Sequence, residues 1–400
     1  MDFKGKRLVI LGAGRGQVGL YKAAQEMGIY TIAGTLPGKN LPGVALCNEV
    51  CYMDVSKPDE VLKKVSDLDI DGIATCCMDT GIVSVGKVCD FLSLTGLTES
   101  AAIMCGDKLR MKRAFIKYGV QTARFLEVHN EADLMSALES LGLPVIIKAT
   151  DLQGSNGIYI AKTVTEAISG FHEAMSKTKR DYCIVEQYIE GYEFGAQAFV
   201  YKGDILFVMP HGDETYMSHT AVPIGHYVPF EANIDIHNQA KEAVTKAIKA
   251  LGLDNCAVNV DLIIKNNTVY VIELTGRAGA NCLPELTQIN YGIEYYKMIA
   301  AMALGGNPKI FWDRRRSYTK AGLARMILET DRTGIFRSFN FLSEIDDKID
   351  YMIFKNPGDT IRVFENSNDC IGQVITVGDS IEECRDNINK FTKSIDIKVV

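Results

Sequence analysis

Val258-Asn259-Val260-Asp261-Leu262-Ile263-Ile264-Lys265-Asn266-Asn267-Thr268-Val269-Tyr270-Val271-Ile272-Glu273-Leu274-Thr275-Gly276-Arg277 reads as two apolar strands, at 258–264 and 268–274, joined across Lys265-Asn266-Asn267. Each strand carries one acid in an otherwise apolar run, Asp261 and Glu273. Carboxylates in such places are destabilising or protonated when unpaired, so they call for a cation. Register decides whether they meet. A two-residue turn at Asn266-Asn267 sets Asp261 opposite Ile272 and sends the two carboxylates to opposite faces. A three-residue connection centred on Asn267, or an equivalent bulge, pairs Asp261 with Glu273 on one face, from which Thr275 also projects. Oxygen ligands of this kind suit Mg²⁺ (or Mn²⁺), with ATP phosphates completing the octahedron.

Upstream, Val145-Ile146-Ile147-Lys148-Ala149 and Ile158-Tyr159-Ile160-Ala161 read as strands. Lys148 ends the first, where an isolated lysine is costly unless it meets an anion or snorkels to water. The link Gln153-Gly154-Ser155-Asn156-Gly157 joins strand to strand and lacks Gly-Lys-Ser/Thr, which excludes a Walker loop. It reads either as a hairpin turn or as a flap whose backbone N–H groups close on phosphate. Further on, Ile184-Val185-Glu186-Gln187-Tyr188-Ile189-Glu190-Gly191-Tyr192-Glu193 runs from one strand to the next. Its extended backbone can read an adenine edge, with Glu193 on ribose hydroxyls. The competing reading makes Glu186 and Glu190 a solvated edge.

The first hundred residues alternate strand and helix: strands at 8–11, 29–33 and 72–75, helices at 17–27 and 59–65. That order implies a parallel sheet with helices on its faces. Gly14-Arg15-Gly16-Gln17-Val18-Gly19 matches G-x-G-x-x-G. The second strand, however, ends in Ile32-Ala33-Gly34-Thr35-Leu36, with no acid for ribose hydroxyls. The glycines therefore read as a tight turn with close packing, and an anion on the helix N-terminus stays open. Asp107 opens a basic helix with Lys108, Arg110, Lys112, Arg113 and Lys117, ended by Gly119. Residues 193–200 and 205–209 alternate like an antiparallel pair about Lys202-Gly203-Asp204. A helix stops at Gly252, and a long one is expected over 285–304. Short strands follow Pro308, with a closing helix at 380–392. Arg314-Arg315-Arg316 reads as a solvated patch.

Four hundred residues exceed one core, so two or three domains are expected. Lys and Arg number 43 against 50 Asp and Glu, a net charge of −7 that argues against a nucleic-acid binder. No apolar run approaches the roughly 18–20 residues of a membrane span. The first six residues lead straight into a strand-like run, so no leader is expected. The eleven cysteines are scattered without a C-x-x-C pair, which fits buried thiols in a reducing cytoplasm better than disulfides or zinc.

Taken in order, Gly106-Asp107-Lys108 before a helix, Lys148, the small flap, Glu186-Gln187-Tyr188-Ile189 followed by Glu193, then Asp261 and Glu273-Leu274-Thr275-Gly276-Arg277 resemble the ATP-grasp superfamily. The resemblance covers about residues 5–305 and points to carboxylate–amine ligases of the amino-acid-ligase and carbamoyl-phosphate-synthase-like kind. It implies an α/β (α+β) fold with a Rossmann-like domain at 1–106, an ATP-grasp domain at 107–307 and a C-terminal lobe at 308–400. The lid would occupy about 120–186. By the same resemblance Lys108 and Lys148 contact ATP phosphates, while Gly154, Ser155 and Gly157 cover them. Glu186, Gln187 and the Ile189 backbone hold adenine, and Glu193 the ribose. Asp261, Glu273 and Thr275 hold magnesium. Arg277, with Lys148, serves catalysis and steadies an acyl phosphate. The family usually has Glu-x-Asn-x-Arg, and threonine stands here for asparagine. The segment 220–229 resembles a loop of amino-acid ligases and puts His226 near the acceptor pocket; a structural histidine is the other reading. The implied reaction joins a small-molecule carboxylate to an amine or a similar nucleophile such as a thiol, through an acyl phosphate, releasing ADP and phosphate. A homodimer through the first domain is compatible with the family. Two other readings stand beside it: a nicotinamide-dependent oxidoreductase using Gly14 to Gly19, and a non-catalytic ATP-binding module.

Overall fold

The computed structural model describes residues 2–39, 41–152, 157–217 and 221–400. The chain divides into two compact units. One comprises Met1–Met209, Ala232–Ala278 and Tyr296–Lys309; the other comprises Pro210–Glu231, Gly279–Tyr295 and Ile310–Val400.

The first unit begins with four parallel strands in the order Glu49–Tyr52, Tyr30–Thr35, Arg7–Leu11, Gly72–Ala74. Leu8, Val9, Ile10 and Leu11 are all fully buried, as an inner parallel strand apolar on both faces requires. In the glycine loop after it, the Gln17 side chain accepts from the Gly14 N–H at 3.0 Å and donates to the Cys76 carbonyl at 2.6 Å. A Cβ on Gly19 would stand 2.2 Å from the Tyr296 ring, and one on Gly16 would stand 2.7 Å from the Cys77 Cβ. Packing accounts for these glycines. Gly19→Ala is therefore expected to cost about 1–3 kcal/mol of stability in urea unfolding, and a variant as stable as the parent would overturn the packing assignment.

A second, antiparallel sheet of the same unit runs Phe125–Val128, Cys183–Gln187, Val145–Ala149, Ile158–Ala161. Val145, Ile147 and Val185 point to the face covered by Leu134, Leu138 and Phe171 of the helices Glu131–Leu141 and Val164–Lys177. Strand alternation sends Lys148 and Glu186 to the other face. A third ladder has the order Thr268–Thr275, Cys256–Lys265, Tyr192–Tyr201, Asp204–Met217, the last strand passing into the second unit at Pro210.

In the second unit the continuation of Asp204–Met217 is followed by Ala221–Val228, Ala321–Ile327, Gly372–Gly378 and Ile349–Ile353, all antiparallel. Leu323, Val374, Ile388 and Phe391 centre its core. Three expectations need correction. The segment 220–229 is no loop over its described part but a strand, Ala221–Val228. Pro223 obscures it in the sequence and is accommodated because the register shifts between Glu214 and Thr215, where a bulge spares the ladder. The long helix is two, Leu283–Tyr291 and Tyr295–Ala303. Gly292 caps the first at φ 66°, and its N–H bonds the Gln288 carbonyl at 2.7 Å. The closing helix, Ile381–Ser394, runs directly into a strand, Ile395–Val399. In the arginine run Arg314 and Arg315 are exposed, as a solvated patch is, and Arg315 lies over the Trp312 ring at 4.5 Å. Among the described residues no helix is long and apolar enough to cross a membrane.

Candidate active site

Lys265 pairs with Thr268 across a two-residue turn, with Asn266 and Asn267 left-handed at φ 49° and 59°. Asparagine tolerates that conformation, which a tight hairpin needs at both central positions. A regular ladder would then set Asp261 against Ile272. Instead the register shifts between Asp261 and Leu262: Leu262 faces Val271, Asp261 faces Glu273, and Ile272 is the extra residue of a bulge. Burial changes phase accordingly. Val269 and Val271 are buried before the bulge and Leu274 after it, so Glu273 and Thr275 turn to the face of Asp261.

The carboxylates gather cations and donors. Lys108 Nζ lies 3.4 Å from Glu273 Oε2 and donates to the Leu152 carbonyl at 2.7 Å. Asn259 donates to Asp261 at 3.2 Å and accepts from Gln197 at 2.6 Å. Lys108 is placed by its helix, Lys108–Lys117, whose cap Asp107 accepts from the Leu109 and Arg110 N–H groups at 3.0 and 3.1 Å. The cap is buried and also accepts from Tyr182 Oη at 2.8 Å. Two adjacent carboxylates, hard donors on one face, fit a magnesium ion.

One helical turn on, Lys112 enters a buried ion cluster. Its Nζ lies 3.1 Å from Glu186 Oε2, and Lys148 Nζ lies 3.2 Å from the same atom. Lys112 is 2 % exposed and Glu186 3 % by side chain. Lys112 also donates to Thr122 Oγ1 at 2.6 Å, which donates to the Val271 carbonyl at 2.7 Å. Burial works to raise the Glu186 carboxyl, but the two ammonium groups outweigh it and hold it below the usual carboxylate value. Burial conversely lowers Lys112 despite Glu186. Glu186 Oε1 is buried with no hydrogen-bond partner among the described residues, so it stands as an acceptor for an incoming N–H.

Arg277 and Thr275 meet at Asp79, on the loop after Gly72–Ala74. Arg277 Nε and Nη2 donate to the two Asp79 oxygens at 2.6 and 2.7 Å, and Thr275 Oγ1 donates to Asp79 Oδ1 at 2.8 Å. Against the cost of burial, this fork raises the Arg277 pKa and lowers that of Asp79. Gly154 and Ser155 lie outside the described residues. Gly157, at φ 68°, closes that loop by accepting from the Ala149 N–H at 2.9 Å. Gln187 ends its strand, Ile189 follows half-buried, and Glu193 pairs with Ile263. His226 belongs to the second unit, where its partner is Asp213.

The sequence reading missed Lys112 and Asp79 as site residues. For Lys112 the signal was the i,i+4 spacing from Lys108; Asp79 had none. All eleven cysteines are free. Burial pushes the Cys89, Cys105 and Cys183 thiols up to about 12, which leaves little thiolate for nucleophilic work.

Residues 141–285 match the ATP-grasp domain, and residues 326–400 match the L-amino acid ligase C-terminal domain 2. The chain belongs to the ATP-grasp superfamily. It is 61% identical to a phosphoribosylglycinamide synthetase from Anaerococcus prevotii, whose crystal structure superposes with a TM-score of 0.87 over 99% of this chain and 100% of that one. An L-amino acid ligase from Bacillus licheniformis has the same fold, at 19% identity and a TM-score of 0.84 over 99% of each chain. The alanine–anticapsin ligase of Bacillus subtilis is 26% identical over 62% of this chain, and the match spans 58% of that relative's length. The mixed α/β fold expected from the sequence is borne out.

Proposed function

We propose that the protein is an ATP-dependent ligase that joins a carboxylate to an amine through an acyl phosphate, releasing ADP and phosphate. The observation that carries this reading is the bulge at Ile272, which brings Asp261 and Glu273 together on one face beside Lys108. Magnesium, held by Asp261 and Glu273, would neutralise phosphate charge in the way such ions do when bound. The chain's own groups do the rest. Lys108 and Lys148 bind phosphate oxygens, and the loop ending at Gly157 excludes water that would hydrolyse the acyl phosphate. Glu186 Oε1 accepts from the adenine amino group, the Ile189 backbone completes that edge, and Glu193 holds the ribose. Arg277 steadies the phosphoryl group as it passes to the substrate carboxylate. The names of the relatives, a glycinamide synthetase and amino-acid ligases, support an amino acid as the carboxylate partner. The division 1–106, 107–307 and 308–400 and a reducing cytoplasmic setting, consistent with eleven free thiols, belong to the same proposal.

Phosphate release from ATP, screened over amino acids against amines, tests the reading. Release that requires one acid and one amine together supports it, whereas nucleotide binding without release under any pair favours a non-catalytic module. In that assay Asp79→Ala is expected to lower kcat by about 100-fold with little change in the KM for ATP, because Arg277 loses the fork that aims it. Equal losses in both parameters would count against a positioning role.

A further inference from the structure

The second unit holds a cluster that the ligase chemistry leaves unused. His211 and Asp213 lie two residues apart on one strand and so share a face. Asp213 pairs with His226 on the neighbouring strand, which brings the third side chain to that face. Gly212 between them pairs with Tyr227, whose ring lies so close that a Cβ on the glycine would meet it at 1.9 Å. Packing on the opposite face thus locks the strand that carries the cluster.

Asp213 Oδ1 lies 3.0 Å from His211 Nδ1 and 2.6 Å from His226 Nδ1. The two rings stand edge to face with centroids 5.2 Å apart. His211 is 2 % exposed and His226 6 %. The His211 Nε2 atom is buried without a hydrogen-bond partner among the described residues. One donor atom from each residue lies within 4.8 Å of the other two. Both Nδ1–Oδ1 contacts are hydrogen bonds. An ion bound tetrahedrally at about 2.0–2.2 Å would replace them and spread the three donor atoms to about 3.3–3.6 Å.

We propose that His211, Asp213 and His226 form a binding site for a divalent metal ion of the zinc class. Two imidazole nitrogens and one carboxylate oxygen are borderline donors, which zinc and its transition-metal neighbours accept, whereas magnesium and calcium prefer oxygen alone. On binding through Nδ1, a neutral imidazole carries its proton on Nε2, so the buried His211 Nε2 would need a water as its acceptor. An imidazolium releases one proton to water. Three protein ligands leave a coordination position open to water or another small ligand.

The full chain, stripped of metal by a chelator, is titrated with ZnCl₂ in a calorimeter and with Co²⁺ followed by visible absorption. One ion per chain is expected. His226→Gln and Asp213→Asn are each expected to weaken binding by more than about 100-fold, beyond the roughly 10–100-fold that loss of an outer-sphere partner costs. Glu273→Ala is expected to bind zinc as the parent does, which separates this site from the one proposed for magnesium and from the fate of the ligase reading. Failure of the unaltered chain to take up either ion overturns the proposal, however the variants fold. So does uptake that survives both substitutions in chains with native circular dichroism.

Discussion

Glu273→Ala releases ADP at least about 10³-fold more slowly than the parent in the presence of a productive acid and amine. The size of the effect follows from what the side chain faces. Glu273 stands opposite Asp261 and 3.4 Å from Lys108, so its removal strips a charge from the proposed phosphate end of the site and leaves Lys108 without that partner. The fold does not depend on it: the side chain is 41% exposed, and the strand is held by buried Val269, Val271 and Leu274. Loss of turnover with an unchanged unfolding curve is therefore the expected pair of results. Substrate-dependent ADP release that survives the substitution would remove the metal assignment, and with it the central support for ligase chemistry.

Glu186→Ala, by contrast, acts on the fold. The substitution leaves two buried ammonium groups facing each other without their shared counter-charge, and a loss of about 3–5 kcal/mol is expected. Urea unfolding at neutral pH measures it. Glu186→Gln removes the charge while keeping the shape, and a loss nearly as large would show that charge rather than packing matters. The pH dependence has a definite sign. Because the Glu186 pKa is held below its ordinary 4.5, the stabilisation is fully present above that value and disappears as pH falls through the lowered one. The parent should accordingly lose stability on acidification below about pH 4.5 more steeply than Glu186→Gln. Parallel curves would overturn the ion-cluster account.

Much of the fold was legible because the apolar runs are short and bounded by turn residues. Leu8 to Leu11 could hardly be anything other than an inner strand, and Asp107 announced its helix as a capping acid. The carboxylate pair was legible only as a choice. The sequence 258–277 permits a tight turn or a displaced register, and the protein combines the tight turn with a bulge, a compromise that neither strand encodes alone. Pro223 and Gly225 masked a strand because their chemistry argues locally against one, while the partner strands supply the pairing. The break at Gly292 was hidden inside a run whose apolar spacing continues through it. Asp79 was unreadable for a different reason. Its partners, Thr275 and Arg277, lie almost two hundred positions away, and no local pattern records such a meeting.

The first unit is assembled from three separate stretches of chain, which bears on how the ribosome delivers it. Its amino-terminal sheet is made early, yet the Tyr296 ring that fills the space beside Gly19 and the Ala303 carbonyl that crowds Gly72 are translated more than two hundred residues later. Until residue 309 has left the exit tunnel, those surfaces have no covering, and a nascent chain stalled before that point offers chaperones and proteases an open target.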